Sequence, residues 1–285
     1  MGVTLAVCSA VFAGITSILA KCGIRKTDSN TATAIRTFVV YFAAWAIAAF
    51  TGAVNGIGAL TAAEWCFIAG SGLATAVSWL CYYRAIALGD VSRVAPVDKM
   101  GTVIAIIACA VVFREGFSVW RGVGLVLITS GTLLMVVTGK NTDAASKKWL
   151  IYAILSAVFA AAVSVLAKLG MQNVESNLAT ALRTCVVLVA ATVIAACGKN
   201  RTPLREIGGK EYLFLVLSGL ATAASWLCYF AALKFGVAST VIAIDKLSIL
   251  VTVVFSAIFL HEKTSVRGWI GLALLVAGTL MLVFF

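Results

Sequence analysis

Six pairs of residues keep one spacing along this chain. Asp98 and Asp245, Lys99 and Lys246, Glu115 and Glu262, Trp79 and Trp226, Lys21 and Lys168, and Arg36 and Arg183 each lie 147 residues apart. The segment from Ser71 to Thr132 returns from Ser218 to Thr279. Roughly 55 of about 138 aligned positions are identical without a gap, far above chance at one fixed period. The chain is therefore one unit written twice, residues 1–138 and 149–285, joined by a linker at 139–148.

The unit belongs in lipid. Of the 285 residues 62% are apolar and only 12% are charged, about half the charged share of a soluble domain. Hydropathy divides the chain into ten spans near 3–22, 31–51, 64–87, 92–113, 118–138, 149–169, 178–197, 211–233, 239–260 and 266–285. Each is close to the ~20 residues that a helix needs to cross a bilayer. None alternates apolar and polar residues as barrel strands do. Met1–Leu19 reads as the first membrane helix, without the basic start and cleavage site of a signal peptide. The longest polar pieces, Gly139–Lys148 and Gly198–Lys210, leave no room for a soluble domain.

Five spans per copy is an odd number, so the second copy must enter the membrane from the opposite side to the first. The expected fold is all-α: a polytopic membrane protein of ten transmembrane helices, arranged as two inverted five-helix repeats. Many secondary transporters are built this way.

The net charge of +11 fits lysines and arginines facing anionic lipid better than a nucleic-acid surface, because no basic run is interleaved with aromatics. Loops 1–2, 3–4, 5–6, 7–8 and 9–10 hold about 15 of these residues and the opposite side about 5, which places both termini outside a cell inner membrane. The eight cysteines form no CxxC and read as free thiols packed as small hydrophobes, and His261 stands alone. There is no Walker sequence, no HExxH and no glycine-rich loop after a strand. Catalysis, a metal and a cofactor are all unexpected.

The polar residues inside the spans carry the functional reading. Ser9, Ala13, Ser17 and Lys21, like Ser156, Ala160, Ser164 and Lys168, are spaced by four and draw a small-residue stripe down one helix face. Such a stripe serves either a close helix contact or a cavity wall. Arg36 and Arg183 lie early in the second spans, where an arginine needs a partner or water, and a structural or gating role is favoured for them. Asn30 and Asn177 are candidate caps for those helices. Trp79 and Tyr82, with Trp226 and Tyr229, share a face with small polar residues and read as cavity lining, suited to a cation over an aromatic ring.

Asp98-Lys99 and Asp245-Lys246 sit inside the fourth spans, and an ionisable residue at that depth is a functional-site candidate by default. The two pairs are either mutually neutralising salt bridges or titrating sites. Burial favours a neutral carboxyl and a nearby lysine favours a charged one, so a carboxylate between these influences can exchange a proton for a cationic solute. Pro96 stands just before the first pair and is expected to bend its helix, whereas Ala243 replaces it in the second copy. Glu115 and Glu262 close the fourth spans and read as helix caps or loop locks. Gly124 with Gly131, and Gly271 with Gly278, lie seven apart on one face of the fifth spans and read as helix packing.

With the lysine ending span one, the arginine opening span two, the glutamate after span four and the Gly-x6-Gly-Thr fifth span, each half resembles the EamA-type domain of the drug/metabolite transporter superfamily. The SWLCY and DK pieces are most similar to its half-size, five-span bacterial and archaeal members, as though two had fused. The resemblance implies a ten-helix inner-membrane carrier whose central cavity is lined by spans 1, 3, 4, 6, 8 and 9. It also implies alternating access, often proton-driven, for substrates ranging over amino acids, amines, nucleobase or sugar compounds and drugs. It implies cytoplasmic termini as well; the charge count places them outside, and that is the expectation adopted.

The function expected is secondary active transport of a small organic solute, cationic or zwitterionic, coupled to protons. Asp98, Lys99, Asp245, Lys246, Trp79, Trp226, Tyr82, Tyr229, Ser17 and Ser164 would bind substrate or proton. Lys21, Lys168, Arg36, Arg183, Glu115 and Glu262 would supply gating or structural charge. Partners would be the solute, protons and membrane lipids, with no nucleic acid, in a monomer or homodimer. A lipid flippase and a non-transporting scaffold or sensor are the alternatives.

Overall fold

The structure is a computed structural model and describes residues 1–23, 27–88, 91–116, 118–136, 148–198, 202–259 and 266–284. Glu262, His261, most of the 139–148 linker and the side chains of Lys21, Pro96 and Lys99 lie outside the described part. All of the described secondary structure is helical. The helices are α1 (Gly2–Gly23), α2 (Ser29–Phe50), α3 (Ala62–Leu88), α4 (Val91–Val112), α5 (Val119–Val136), α6 (Lys148–Gly170), α7 (Ser176–Cys197), α8 (Gly209–Phe235), α9 (Ala238–Asp245), α10 (Ser248–Phe259) and α11 (Val266–Phe284). Eight helical segments among the described residues are long and apolar enough to cross a membrane, and two shorter apolar stretches, Met100–Val112 and Val119–Leu134, accompany them.

The ends of the helices follow local chemistry. α2 is capped by Asp28, whose Oδ2 accepts from the backbone N–H groups of Asn30 and Thr31 at 3.1 and 3.2 Å. Asn30 and Asn177, expected as caps, instead lie in the first turns of α2 and α7, and Asn177 Nδ2 donates to Glu175 Oε1 at 3.1 Å. α4 ends on Arg114 with φ 52°, a left-handed residue. Glu115 N donates to Ala110 O at 2.9 Å and Arg114 N to Val111 O at 3.4 Å, a hydrogen-bonded stop that turns Glu115 away from the axis of its own helix.

The fourth span is one unbroken helix in the first half and is broken in the second. α4 runs helical through Pro96, Asp98 and Lys99. In the second half the span expected at 239–260 is divided into α9 and α10 at Lys246-Leu247. There Lys246 N bonds Ala243 O and Leu247 N bonds Ile244 O, at 3.1 and 2.9 Å, so i→i+3 bonds replace the helical ladder. Irregular backbone at membrane depth is tolerable where it borders a cavity, and Asp245 and Lys246 border one.

Most packing joins one half of the chain to the other. α1 lies on α8 and α3 on α6; α4 crosses α6, while α1 crosses α9 and α10; α2 meets α7 and α8, and α3 meets α7. Moving each partner by 147 residues turns one member of these pairs of contacts into the other. α5 and α11 pack on each other through their glycines: a Cβ on Gly131 would stand 2.5 Å from Gly271 O, and one on Gly278 2.5 Å from Gly124 O. The seven-residue glycine spacing thus serves close helix contact. The apolar core is rich in alanine, with Ala6, Ala44, Ala48, Ala161 and Ala181 fully or almost fully buried. Small side chains let membrane helices come near enough for dispersion contacts to hold them.

Candidate functional site

The seven helices α1, α3, α4, α6, α7, α8 and α9 contribute to the wall of a cavity of about 360 Å³, within the usual size of a small-molecule site. Its wall holds Asp98, Asp245, Lys246, Arg183, Trp79 and Trp226, with Tyr229 and Ser164 beside them.

Each aspartate is held by a serine from the small-residue stripe of the opposite half. Ser78 Oγ donates to Ser156 O at 3.0 Å, and Ser156 Oγ donates to Asp98 Oδ1 at 2.7 Å. In the related place Ser225 Oγ donates to Ser9 O at 3.1 Å, and Ser9 Oγ reaches Asp245 Oδ1 at 3.4 Å. Ser9 and Ser156 are fully buried in the α1–α8 and α3–α6 crossings, while Ala13, Ala160 and Ser164 line the cavity. The stripe is therefore helix contact at one end and cavity wall further along. Lys246 Nζ lies 3.8 Å from Asp245 Oδ2.

The related residues of the two halves differ in their surroundings. Tyr229 shares a hydrogen bond of 2.9 Å with Ser164 on the cavity wall. Tyr82 packs instead against the cluster of Ala85, Val94 and Ala153, and Ser17 is exposed and donates to Ala13 O of its own helix. Neither Tyr82 nor Ser17 lines the cavity.

The charges assigned to gating fall into two groups. Lys168 Nζ donates to Gly236 O at 2.8 Å and pairs with Glu115 Oε1 at 3.4 Å. Glu115 accepts from Ala238 N at 2.6 Å, Ser239 N at 3.1 Å and Ser239 Oγ at 2.6 Å, so it caps α9 of the other half. Burial works against ionisation of Glu115, but the Ser239 and Ala238 bonds and the Lys168 charge outweigh it and hold the carboxyl below its ordinary value.

The arginines part company. Arg36 Nη2 donates to Thr222 Oγ1 at 3.1 Å and does not line the cavity. Arg183 does line it; the sequence favoured a structural or gating role over a ligand contact for both. Gly72 makes room: a Cβ there would stand 3.0 Å from Arg183 O, so its absence lets α3 close on α7 at this turn.

A bundle of apolar helices around a polar cavity, with acids, bases and aromatics on its wall, has the architecture of a membrane carrier. The chain belongs to the EamA-like transporter family, whose sequence profile matches it twice, over residues 1–137 and 147–284. It is thus a multi-pass protein of a membrane transporter family, as the two-copy resemblance to the drug/metabolite transporter superfamily implied. A relative from Sinorhizobium sp., described as "Uncharacterized transporter in cobO 3'region", is 48% identical over 141 residues, which make up 49% of this chain and 99% of the relative. A solved crystal structure described only as that of a protein shares the fold, with a TM-score of 0.76 at 16% identity, covering 98% of this chain and 95% of that one.

Proposed function

We propose that this chain is a secondary active transporter for a small organic solute, cationic or zwitterionic, which it moves by alternating access in exchange for protons. Its ten spans would form two inverted five-helix repeats, 1–138 and 149–285, about a pseudo-two-fold axis in the membrane plane. The observation that carries the reading is the convergence of Asp98 and Asp245, 147 residues apart, on one cavity. Asp98 and Asp245 take the proton or the cationic group of the solute. Lys246 and Lys99 tune those carboxylates. Trp79, Trp226 and Tyr229 provide an aromatic wall on which a cation rests favourably. The Glu115–Lys168 latch on α9 is a gate. The Lys and Arg distribution puts both termini on the outer side of a cell inner membrane.

The test is a thermal-shift screen of the purified chain against amines, amino acids, quaternary ammonium compounds and organic anions, at about pH 6 and about pH 8. Asp98→Asn and Asp245→Asn run beside the unaltered protein. Stabilisation by cationic or zwitterionic solutes that grows at the higher pH and vanishes in both variants supports a shared proton and solute site. Stabilisation that persists in both variants refutes it.

A further inference from the structure

We infer that Arg183 is an anion-recognition point, so that the transported solute is a zwitterion whose carboxylate rests on Arg183 while its cationic group faces the aspartates. This rests on the transport reading above and selects one solute class within it. Arg183 is only 3% exposed and lines the cavity. A guanidinium has five N–H donors and always carries its charge. Here Nε donates to Ser71 Oγ at 3.0 Å and Nη2 to Thr75 Oγ1 at 2.9 Å, both neutral acceptors that fix the plane of the group. The ring faces of Trp226 and Phe230 lie 5.2 and 4.2 Å from its central carbon. They hold a cation but accept none of its in-plane protons. Among the described residues no carboxylate pairs with Arg183, whereas Lys168 has Glu115 and Lys246 has Asp245.

A buried guanidinium fixed by hydroxyls and lying over aromatic rings is a fork without its anion. Arginine is the side chain best matched to bidentate carboxylate recognition. The rest of the wall narrows the choice. Asp98 and Asp245 also line the cavity, so a multiply charged anion such as a phosphate ester would be repelled. The described charges on the wall, Arg183 and Lys246 against Asp98 and Asp245, sum to zero, which suits a solute without net charge that carries both signs. Arg36, at the related position of the first half, does not line the cavity, so the carboxylate end is fixed by one half of the protein only.

The experiment is binding to the full-length chain in detergent, by calorimetry and thermal shift. The probes are alanine, leucine and phenylalanine, with the amide and the decarboxylated amine of each. The expected result is that amino acids bind and that their amides and amines bind at least about tenfold more weakly. Arg183→Gln removes that preference, Thr75→Val reduces it without touching the charge, and Arg36→Gln leaves it intact. Thr75→Val keeps the inference testable should Arg183→Gln fail to fold. Amines and amides binding as well as the amino acids, with Arg183→Gln unaltered, would overturn the anion subsite and leave a cation transporter standing. No binding by any probe, together with no uptake into proteoliposomes, overturns both readings.

Discussion

Glu115 accepts a hydrogen bond from Ser239 Oγ at 2.6 Å, joining the end of α4 in one half to the first turn of α9 in the other. The same carboxylate takes the free N–H groups of Ala238 and Ser239 and faces Lys168, so four groups depend on its charge. Its folded pKa lies below its ordinary 4.5. A carboxyl depressed in this way contributes stability that is complete above the unfolded value and is lost as pH falls through the folded one. Glu115→Gln should therefore lower the Tm of the purified protein near neutral pH. The gap between variant and unaltered protein should close as pH falls below 4.5. A gap of constant size across that range would show that the carboxylate charge is not what holds the latch.

The Ser156–Asp98 contact of 2.7 Å separates a transport role from a purely structural one. Asn keeps the size of Asp and can still accept from Ser156, so Asp98→Asn should shift stability by no more than about 1 kcal/mol. Counterflow of a bound solute in proteoliposomes should nevertheless fall to background, because the proposed site loses the negative charge that holds the cationic group of the solute. If counterflow survives and only the Tm moves, the pair serves packing and the scaffold reading gains.

Much of this arrangement was legible in the chain. The helix ends lie within a few residues of the apolar runs, because in lipid each backbone polar group must be satisfied within its own helix. Asp98 and Asp245 stood out because charge at that depth is costly. What was illegible arises where related residues of the two copies meet different surroundings. Arg36 and Arg183 stand in closely similar stretches of sequence, yet only Arg183 reaches the cavity. Tyr82 and Tyr229 differ in the same way, as do Ser17 and Ser164, because the two halves pack differently at these points. The break at Lys246-Leu247 was illegible because the proline stands in the other copy, at Pro96, and Ala243 at the related position gives no such signal.

The α5–α11 contact makes a prediction independent of transport. A methyl on Gly131 or Gly278 would meet a backbone carbonyl at 2.5 Å, and backbone cannot swing aside as a side chain can. Gly131→Ala and Gly278→Ala should each cost about 1–3 kcal/mol and lower the Tm in detergent. Gly58→Ala is the control, since nothing lies within 4 Å of a Cβ at that position. Equal Tm values for all three variants would mean that the two helices do not pack through these glycines.

The side of the membrane on which the Glu115 latch lies follows from the basic residues. In the proposed ten-span topology the loops with Arg25, Lys26, Lys140, Lys147, Lys148, Lys199, Arg201, Arg205 and Lys210 fall on one side and the loop with Glu115 on the other. Each basic residue near an anionic leaflet contributes about 1 kcal/mol, and under the proposed orientation the balance of about 15 to about 5 would put Glu115 outside. A C-terminal alkaline phosphatase fusion, active only outside the cytoplasm, should then be active, and a C-terminal fluorescent protein that matures only inside should stay dark. A maleimide that cannot cross the membrane should label Gly116→Cys, beside the latch, in intact cells. The opposite pattern would place the latch on the cytoplasmic face. The state with Glu115 on Ser239 would then be closed toward the cytoplasm instead of closed toward the outside.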